Sequence, residues 1–354
     1  MLVEVLLGVA AATTCGAIAL RRTRTPKASI GYADLIASSV AAYTNGETTP
    51  PAPASFAHLP TVRYEEDDDR GTETRRADSS STLPTIPVLY DFDAIVDEPT
   101  RAPSFALASA ACSDRGRRRP RNEDSFAFSS DLGLFIVADG MGGHRGGDVA
   151  SDLAVQVIGD AFKGGRFDGR THASLPPRAS KLARAIQMAN RSIRNLARAR
   201  AELAEMGTTV VAALFSPETR RLYIGHVGDS RCYRLRDGRM EQMTEDHTMA
   251  TLGVSGPTAG NLARSVGTSG RVVSDIVIAE PKIGDVYLLC SDGLPKMVSD
   301  DAIRSVLEHA PAESVAASHL VQLANEKGGL DNITALVIRV LPVGDATVKA
   351  RIEA

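Results

Sequence analysis

The chain has little cysteine and spaces it poorly for chemistry. Its four cysteines, Cys15, Cys112, Cys232 and Cys290, form no CxxC pair. That argues against a disulfide framework and against a zinc knuckle, and it favours a reducing compartment for the main domain. There is no surplus of positive charge either. The 40 Lys and Arg residues face 43 Asp and Glu, for a net charge of −3, so the overall balance gives no reason to expect a nucleic-acid partner. At 354 residues, with 43% hydrophobic and 23% charged side chains, the composition is that of a globular protein with one large domain plus extras, or two small ones.

Long apolar runs are scarce except at the N-terminus. Leu2 to Leu20 is broken only by Glu4, and Arg21-Arg22-Thr23-Arg24 follows at once. As a helix this run spans roughly 28 Å, enough for the hydrocarbon core of a bilayer. A secretory signal carries its positive charge before the apolar run, whereas here the charge comes after it. The expectation is a single-pass anchor over residues 1–22, with the basic flank and the rest of the chain on the cytoplasmic side of the cell membrane. A peripheral helix, a cleaved signal or a mis-assigned start remain alternatives.

Residues 23–104 are rich in Pro, Thr, Ser and Ala and offer little apolar surface to offset chain entropy, so they read as a disordered linker. A short helix near residues 32–43 is possible. The run Glu65-Glu66-Asp67-Asp68-Asp69 reads as a solvated patch, with a docking strip for a basic site rim as the rival.

Beyond the linker, acids recur at the ends of apolar runs. Val137-Ala138-Asp139-Gly140 and Leu289-Cys290-Ser291-Asp292-Gly293 each end in an Asp-Gly turn; Asn122-Glu123-Asp124-Ser125 and Leu330-Asp331-Asn332-Ile333-Thr334 add further acids. One Asp-Gly is usually just a turn. Four such clusters bordering strands suit a shared divalent-metal site, because a strand end holds its acid rigidly and oxygen-only ligands favour Mg²⁺ or Mn²⁺ over zinc. Apolar patterning predicts strands at 125–128, 134–139, 208–215, 220–227, 231–236, 276–279, 285–291 and 334–340. Helical periodicity predicts helices at 146–162, 179–206, 300–309 and 311–327.

Taken in order, these pieces resemble the metal-dependent serine/threonine protein phosphatases of type 2C, in their bacterial form. The matching segments are Ser113-Asp114-Arg115-Gly116, Asn122 to Ser125, Ala138 to His144, Met206-Gly207-Thr208-Thr209, His226 to Arg231, Leu289 to Leu294, and Asp331 to Thr334. They place a phosphatase domain at 105–342, followed by a tail at 343–354. The resemblance implies an α+β fold: a four-layer α-β-β-α sandwich of two stacked antiparallel sheets flanked by helices. It also implies two Mn²⁺ or Mg²⁺ ions that activate a water to hydrolyse phosphoserine and phosphothreonine in proteins. On matching positions, Asp139 bridges the ions, the Gly140 carbonyl binds one, and Asp292 and Asp331 bind the other. Glu123 and Asp124 bind directly or orient the ions' waters. Arg119 grips the phosphate, although Arg117, Arg118 or Arg121 could take that part. His144 is either a proton donor to the leaving alkoxide or a helix cap. Phosphorylated substrates of a bacterial-type Ser/Thr kinase, and a monomeric catalytic domain, complete the expectation. His226 reads as a satisfied core histidine and Cys290 as a buried small hydrophobe rather than a nucleophile.

Two departures stand out. Bacterial members often hold a third metal between the equivalent of Asp229 and a further Asp, and here that second position is Lys296; a lost or weakened third site is expected. The flap between Thr248 and Arg264 is shorter than the family's, predicting a more open site. These departures keep a second reading in view, a catalytically weak or inactive phosphoprotein-binding scaffold. A stress-sensing regulator is a weaker third, since no sensor domain precedes residue 105.

Overall fold

The inner strands of this protein are apolar on both faces, and that pattern generates layers. In β11 (Val286–Cys290) and β12 (Ile333–Leu341), Leu288, Cys290, Ala335 and Val337 face one core, while Tyr287, Leu289, Leu336 and Ile338 face another. A strand covered on one side only would alternate apolar with polar residues. The structure is a computed structural model, and it describes residues 88–90, 102–142, 146–169 and 175–344. The expected anchor, most of the linker including residues 65–69, the possible helix near 32–43, His144 and the last ten residues lie outside the described residues.

One sheet runs in the order β1 (Val88–Tyr90), β10 (Asp275–Ala279), β7 (Arg221–Val227), β6 (Val210–Ser216), β4 (Leu134–Met141), β3 (Asp124–Ser129), and the short β5 (Gly207–Thr208) pairs with the end of β4. The other runs β2 (Ala106–Asp114), β12, β11, β8 (Arg231–Arg236), β9 (Arg239–Gln242). Neighbours are antiparallel except β1, which lies parallel to β10 with Val88 opposite Ile276. Between the sheets, Phe135, Phe215 and Tyr287 meet edge to face, Phe215 lying 5.6 Å from Phe135 and 5.3 Å from Tyr287. Such pairs add about 0.5–1.5 kcal/mol beyond simple burial.

On the first sheet, α1 (Gly147–Gly164) packs against β3 and β4, and α2 (Pro177–Ala199) packs against α1 and β7. On the second lie α3 (Gly293–Met297), α4 (Asp300–His309) and α5 (Glu313–Glu326), whose Ile303, Leu307, Leu320 and Val321 complete the core under β11 and β12. These layers are the expected α+β sandwich of two sheets flanked by helices.

Three expectations need correction. The strand β1 falls within residues 23–104, so the expected disordered linker contains at least one paired segment. Because that strand is parallel, the first sheet is not wholly antiparallel. The helix expected over 179–206 stops at Ala199, where Arg200 turns to extended backbone before a 3₁₀ turn at Ala201–Leu203. The strands β2 and β9 and the helix α3 have no counterpart among the predicted elements. In β2 the sequence Ala-Leu-Ala-Ser-Ala-Ala-Cys-Ser-Asp has small residues and no β-branched ones, so only its nine-residue pairing with β12 makes it a strand.

Candidate active site

Asp139 stands at the end of β4, and the backbone around it is tightly held. Its N–H donates to Thr209 Oγ1 (3.0 Å), and its carbonyl accepts from the Thr208 hydroxyl (2.9 Å) and the Thr209 N–H (2.8 Å). Thr209 is fixed in turn by the Ser230 hydroxyl at 2.6 Å. The next residue must be glycine: a Cβ on Gly140 would lie 2.0 Å from the Gly147 carbonyl oxygen at the start of α1. The strand therefore passes hard against the start of α1 at Gly140, one residue before it ends, and the Asp139 carboxylate lies on the wall of the cleft there.

Asp124 sits directly across the β3–β4 ladder from Asp139. It is buried, and Oδ2 accepts hydrogen bonds from the Ser291 and Thr334 hydroxyls, both at 2.7 Å. Thus β3, the turn after β11 and the start of β12 meet at one carboxylate. Burial, and then the neighbouring Asp292 and Asp331, hold the Asp124 carboxyl above its ordinary range. The Asp139 carboxyl is also raised, by loss of surrounding water and by Asp124, Asp292 and Asp331.

A cleft of about 510 Å³ opens over these residues. Its walls include Arg119, Arg121, Glu123, Asp139, Gly140, Asp229, Asp292, Lys296 and Asp331, with Gly260, Asn261 and Leu262 from the flap. Of the expected site residues, the structure brings together Arg119, Glu123, Asp139, Gly140, Asp292, Asp331 and Asp229; Asp124 lies behind the wall rather than on it. Arg119 Nε pairs with Asp331 at 2.8 Å, and Lys296 Nζ pairs with Asp292 one helical turn away. Burial works against the Lys296 charge, but Asp292, Asp229 and Asp331 outweigh it and raise its pKa. The Asp229 carboxyl is pushed up by burial and by Asp292.

Among the described residues, no three His, Cys, Asp or Glu side chains are grouped tightly enough to enclose one ion. The acids are spread along the wall, and two of them face cations. The donor set nevertheless fits hard divalent ions. It is oxygen-only, its acids repel one another, and the buried Oδ1 atoms of Asp124 and Asp292 have no hydrogen-bond partner.

The sequence reading assigned no role to Asn332. Its side-chain amide donates to the carbonyls of Arg115 and Arg121, each at 2.9 Å, and accepts from the Glu123 N–H at 2.9 Å. One side chain thereby closes both ends of the arm that carries Arg119. Gly116, at φ +79°, packs the arm so closely that a Cβ would lie 2.1 Å from the Asp331 carbonyl oxygen. Thr209, Ser291 and Thr334 were likewise missed as supports, though Ser291 and Thr334 stand in segments that carry an acid and Thr209 in one of the matching segments. The flap is closed on itself by Met249 N–H to the Asn261 carbonyl and Ala250 N–H to the Ala259 carbonyl, both 2.8 Å. At its root, His247 accepts from the Gly228 N–H (3.1 Å) and lies 3.0 Å from Asp275, which also pairs with Arg264 (2.6 Å). His226 and Cys290 are core residues, 1% and 0% exposed, but His226 is not the satisfied histidine expected: among the described residues neither ring nitrogen has a hydrogen-bond partner, and the ring packs 4.4 Å from that of His247. Burial, and then His247, push the His226 pKa down to about 3, and burial raises that of the Cys290 thiol.

The family model for protein phosphatase 2C matches residues 115–325. A serine/threonine phosphatase, stp, of Listeria welshimeri is 38% identical over 241 residues, covering 64% of this chain and 92% of that protein. The serine/threonine protein phosphatase PstP of Mycobacterium tuberculosis is 36% identical over 252 residues, 67% of this chain and 46% of that one. The crystal structure of a PstP catalytic domain in complex with two manganese ions superposes with a TM-score of 0.58 at 36% identity, covering 67% of this chain and 99% of that one. The chain thus belongs to the protein phosphatase 2C family and is a metal-dependent serine/threonine protein phosphatase.

Proposed function

We propose that the cleft is the catalytic centre. In this reading Asp139, the Gly140 carbonyl, Asp292 and Asp331 hold two divalent ions, Mn²⁺ or Mg²⁺. Glu123 and Asp124 orient the surrounding water, and Arg119 binds the substrate phosphate. The observation that carries the reading is the convergence of acids from β4, the turn after β11 and the segment before β12 on one wall, with Arg119 against them. When bound, the ions lower the pKa of a water and neutralise phosphoryl oxygens. The chain's own residues do the rest. Arg119 can exchange Asp331 for a phosphate, since its planar fork suits both anions. Asp124, fixed by Ser291 and Thr334, backs the Asp139 strand from behind the wall. His144 remains the candidate donor to the leaving alkoxide; His144→Gln should then slow poor leaving groups more than good ones.

The test is phosphate release from a phosphothreonine peptide by the full chain, with Mn²⁺ and with EDTA, beside Asp139→Asn. Metal-dependent release that the substitution abolishes supports the assignment. Release that survives Asp139→Asn sinks it. Folded protein that binds the peptide without releasing phosphate would revive the scaffold reading.

We also propose that Lys296 weakens or removes a third ion site beside Asp229. The Lys296–Asp292 pair, with Asp229 adding to the field on the ammonium, supports this. Calorimetric titration should count two Mn²⁺ in the natural chain and three in Lys296→Asp; three in both would refute it. The short flap is proposed to leave the site open to bulky phosphoproteins, supplied by a bacterial-type Ser/Thr kinase. A monomeric catalytic domain tethered by Leu2–Leu20 at the cytoplasmic face of the membrane completes the proposal. Among the described residues no helix is long and apolar enough to cross a membrane, so this rests on the sequence of that run and its arginine flank. Recovery of the full chain in the soluble fraction after cell lysis would count against the tether.

A further inference from the structure

We propose that the arm joining β2 to β3, Arg115–Arg121, reads the residues around the phosphorylated side chain and selects substrates with acidic neighbours. This deepens the reading above, since it takes the cleft to be the phosphate's seat.

Five of the arm's seven residues are arginine and none is acidic, in a chain whose net charge is −3. Three of the five have partners: Arg119 holds Asp331, Arg121 reaches Asp148 at 3.5 Å, and Arg115 folds back on the Pro120 carbonyl at 3.3 Å. Arg117 and Arg118 are exposed, and among the described residues their side chains make no ion pair or hydrogen bond. Their backbone is nevertheless fixed. The N–H groups of Arg117 and Arg118 donate to the Gly329 carbonyl at 2.7 and 3.2 Å, the Gly116 N–H donates to the Asp114 carboxylate at 2.8 Å, and Asn332 ties both ends.

Two guanidinium groups with no side-chain partner among the described residues are thus carried on an anchored backbone next to the cleft residues Arg119 and Arg121. A support ordered in advance avoids part of the entropy lost on binding. An extended peptide advances about 3.4 Å per residue. Arg117 and Arg118 directly precede Arg119, so with the phosphate in the cleft the residues one to three places away are proposed to lie alongside them. A carboxylate there meets a fork of matching geometry, while a lysine or arginine meets like charge. Both contacts stay solvent-exposed, so each is modest and weakens with salt.

The experiment compares kcat/KM of the full chain on phosphothreonine peptides of equal length flanked by Asp, Gln or Arg. Each value is normalised to hydrolysis of p-nitrophenyl phosphate, which has no flanks, by the same preparation. The expected preference for Asp over Gln is about fivefold at low ionic strength, expressed in KM and shrinking toward unity at about 0.5 M salt. In Arg117→Ser/Arg118→Ser it should fall below about twofold. No preference in the natural chain, or an undiminished one in the double variant, overturns the proposal. The cleft reading fails separately, if Arg119→Met hydrolyses p-nitrophenyl phosphate as well as the natural chain does.

Discussion

Asp285 and Asp139 are both carboxylates drawn out of water, and the fold treats them in opposite ways. Asp285, 1% exposed, receives a two-point fork from Arg236 (2.8 Å each), a hydroxyl from Tyr287 (3.1 Å) and the Lys282 N–H (2.8 Å). Asp275 is handled likewise. Burial works against its charge, but His247 and Arg264 outweigh that and bring its pKa down to about 2. Among the described residues Asp139 makes no ion pair; it faces Asp124, Asp292 and Asp331, and is pushed the other way. An acid whose lone pairs and charge are fully answered belongs to the architecture. Acids left to repel one another hold free energy that a divalent cation can recover.

The strongest way to break this contrast is to neutralise one acid of each kind. Asp139→Asn should lower metal-dependent phosphate release by about 1000-fold or more and yet raise the melting temperature in EDTA by a few degrees, because a repulsion is relieved. A lower melting temperature would place Asp139 with the structural acids. Asp285→Asn should do the reverse. It removes the charge on which the Arg236 fork closes and should cost about 3–5 kcal/mol in denaturant unfolding, while activity per folded molecule stays near the natural value.

Acid titration next sharpens the structural side of the comparison, where His226 and Asp275 each contribute a few kcal/mol in different windows. The folded pKa of His226 is about 3, against an ordinary 6.5, so the unfolded chain takes that proton first. Its stabilising share is complete above about pH 6.5 and is lost as pH falls toward 3. Asp275 contributes above its ordinary 3.8, and that share is lost as pH falls through about 2. His226→Phe should flatten the upper window only, measured as unfolding free energy against pH. The mildest test is metal itself. Mn²⁺ at about 100 times its Kd should stabilise the natural chain by about 2.7 kcal/mol per site, and Asp139→Asn by clearly less.

Much of this contrast was legible in the sequence, but unevenly. Asp139 and Asp292 announce themselves because each closes an apolar run, and Asp331 because it stands just before one; position at a strand end is a local property. The strand β8 and the helix α4 were legible for the same reason, since their patterning lies within the segments themselves. Asn332 was not, because its partners Arg115 and Arg121 are over 200 residues away and only the fold brings them near. The strand β2 was hidden by its small residues, and β1 by the polar segment around it. The satisfied acids Asp275 and Asp285 gave no signal at all, since their arginines come from other strands and loops.

The double tie of Asn332 has a consequence for how this arm can vary. Both ends of Arg115–Arg121 hang from one amide, and the middle is stitched to Gly329. Side chains along the arm can be exchanged without disturbing these backbone bonds, but an inserted or deleted residue would pull one end off its anchor and carry Arg119 away from Asp331. Diversity among close relatives should therefore take the form of changed letters at fixed length. A library built on this loop would be most productive if it randomised positions 117 and 118 and left the spacing alone.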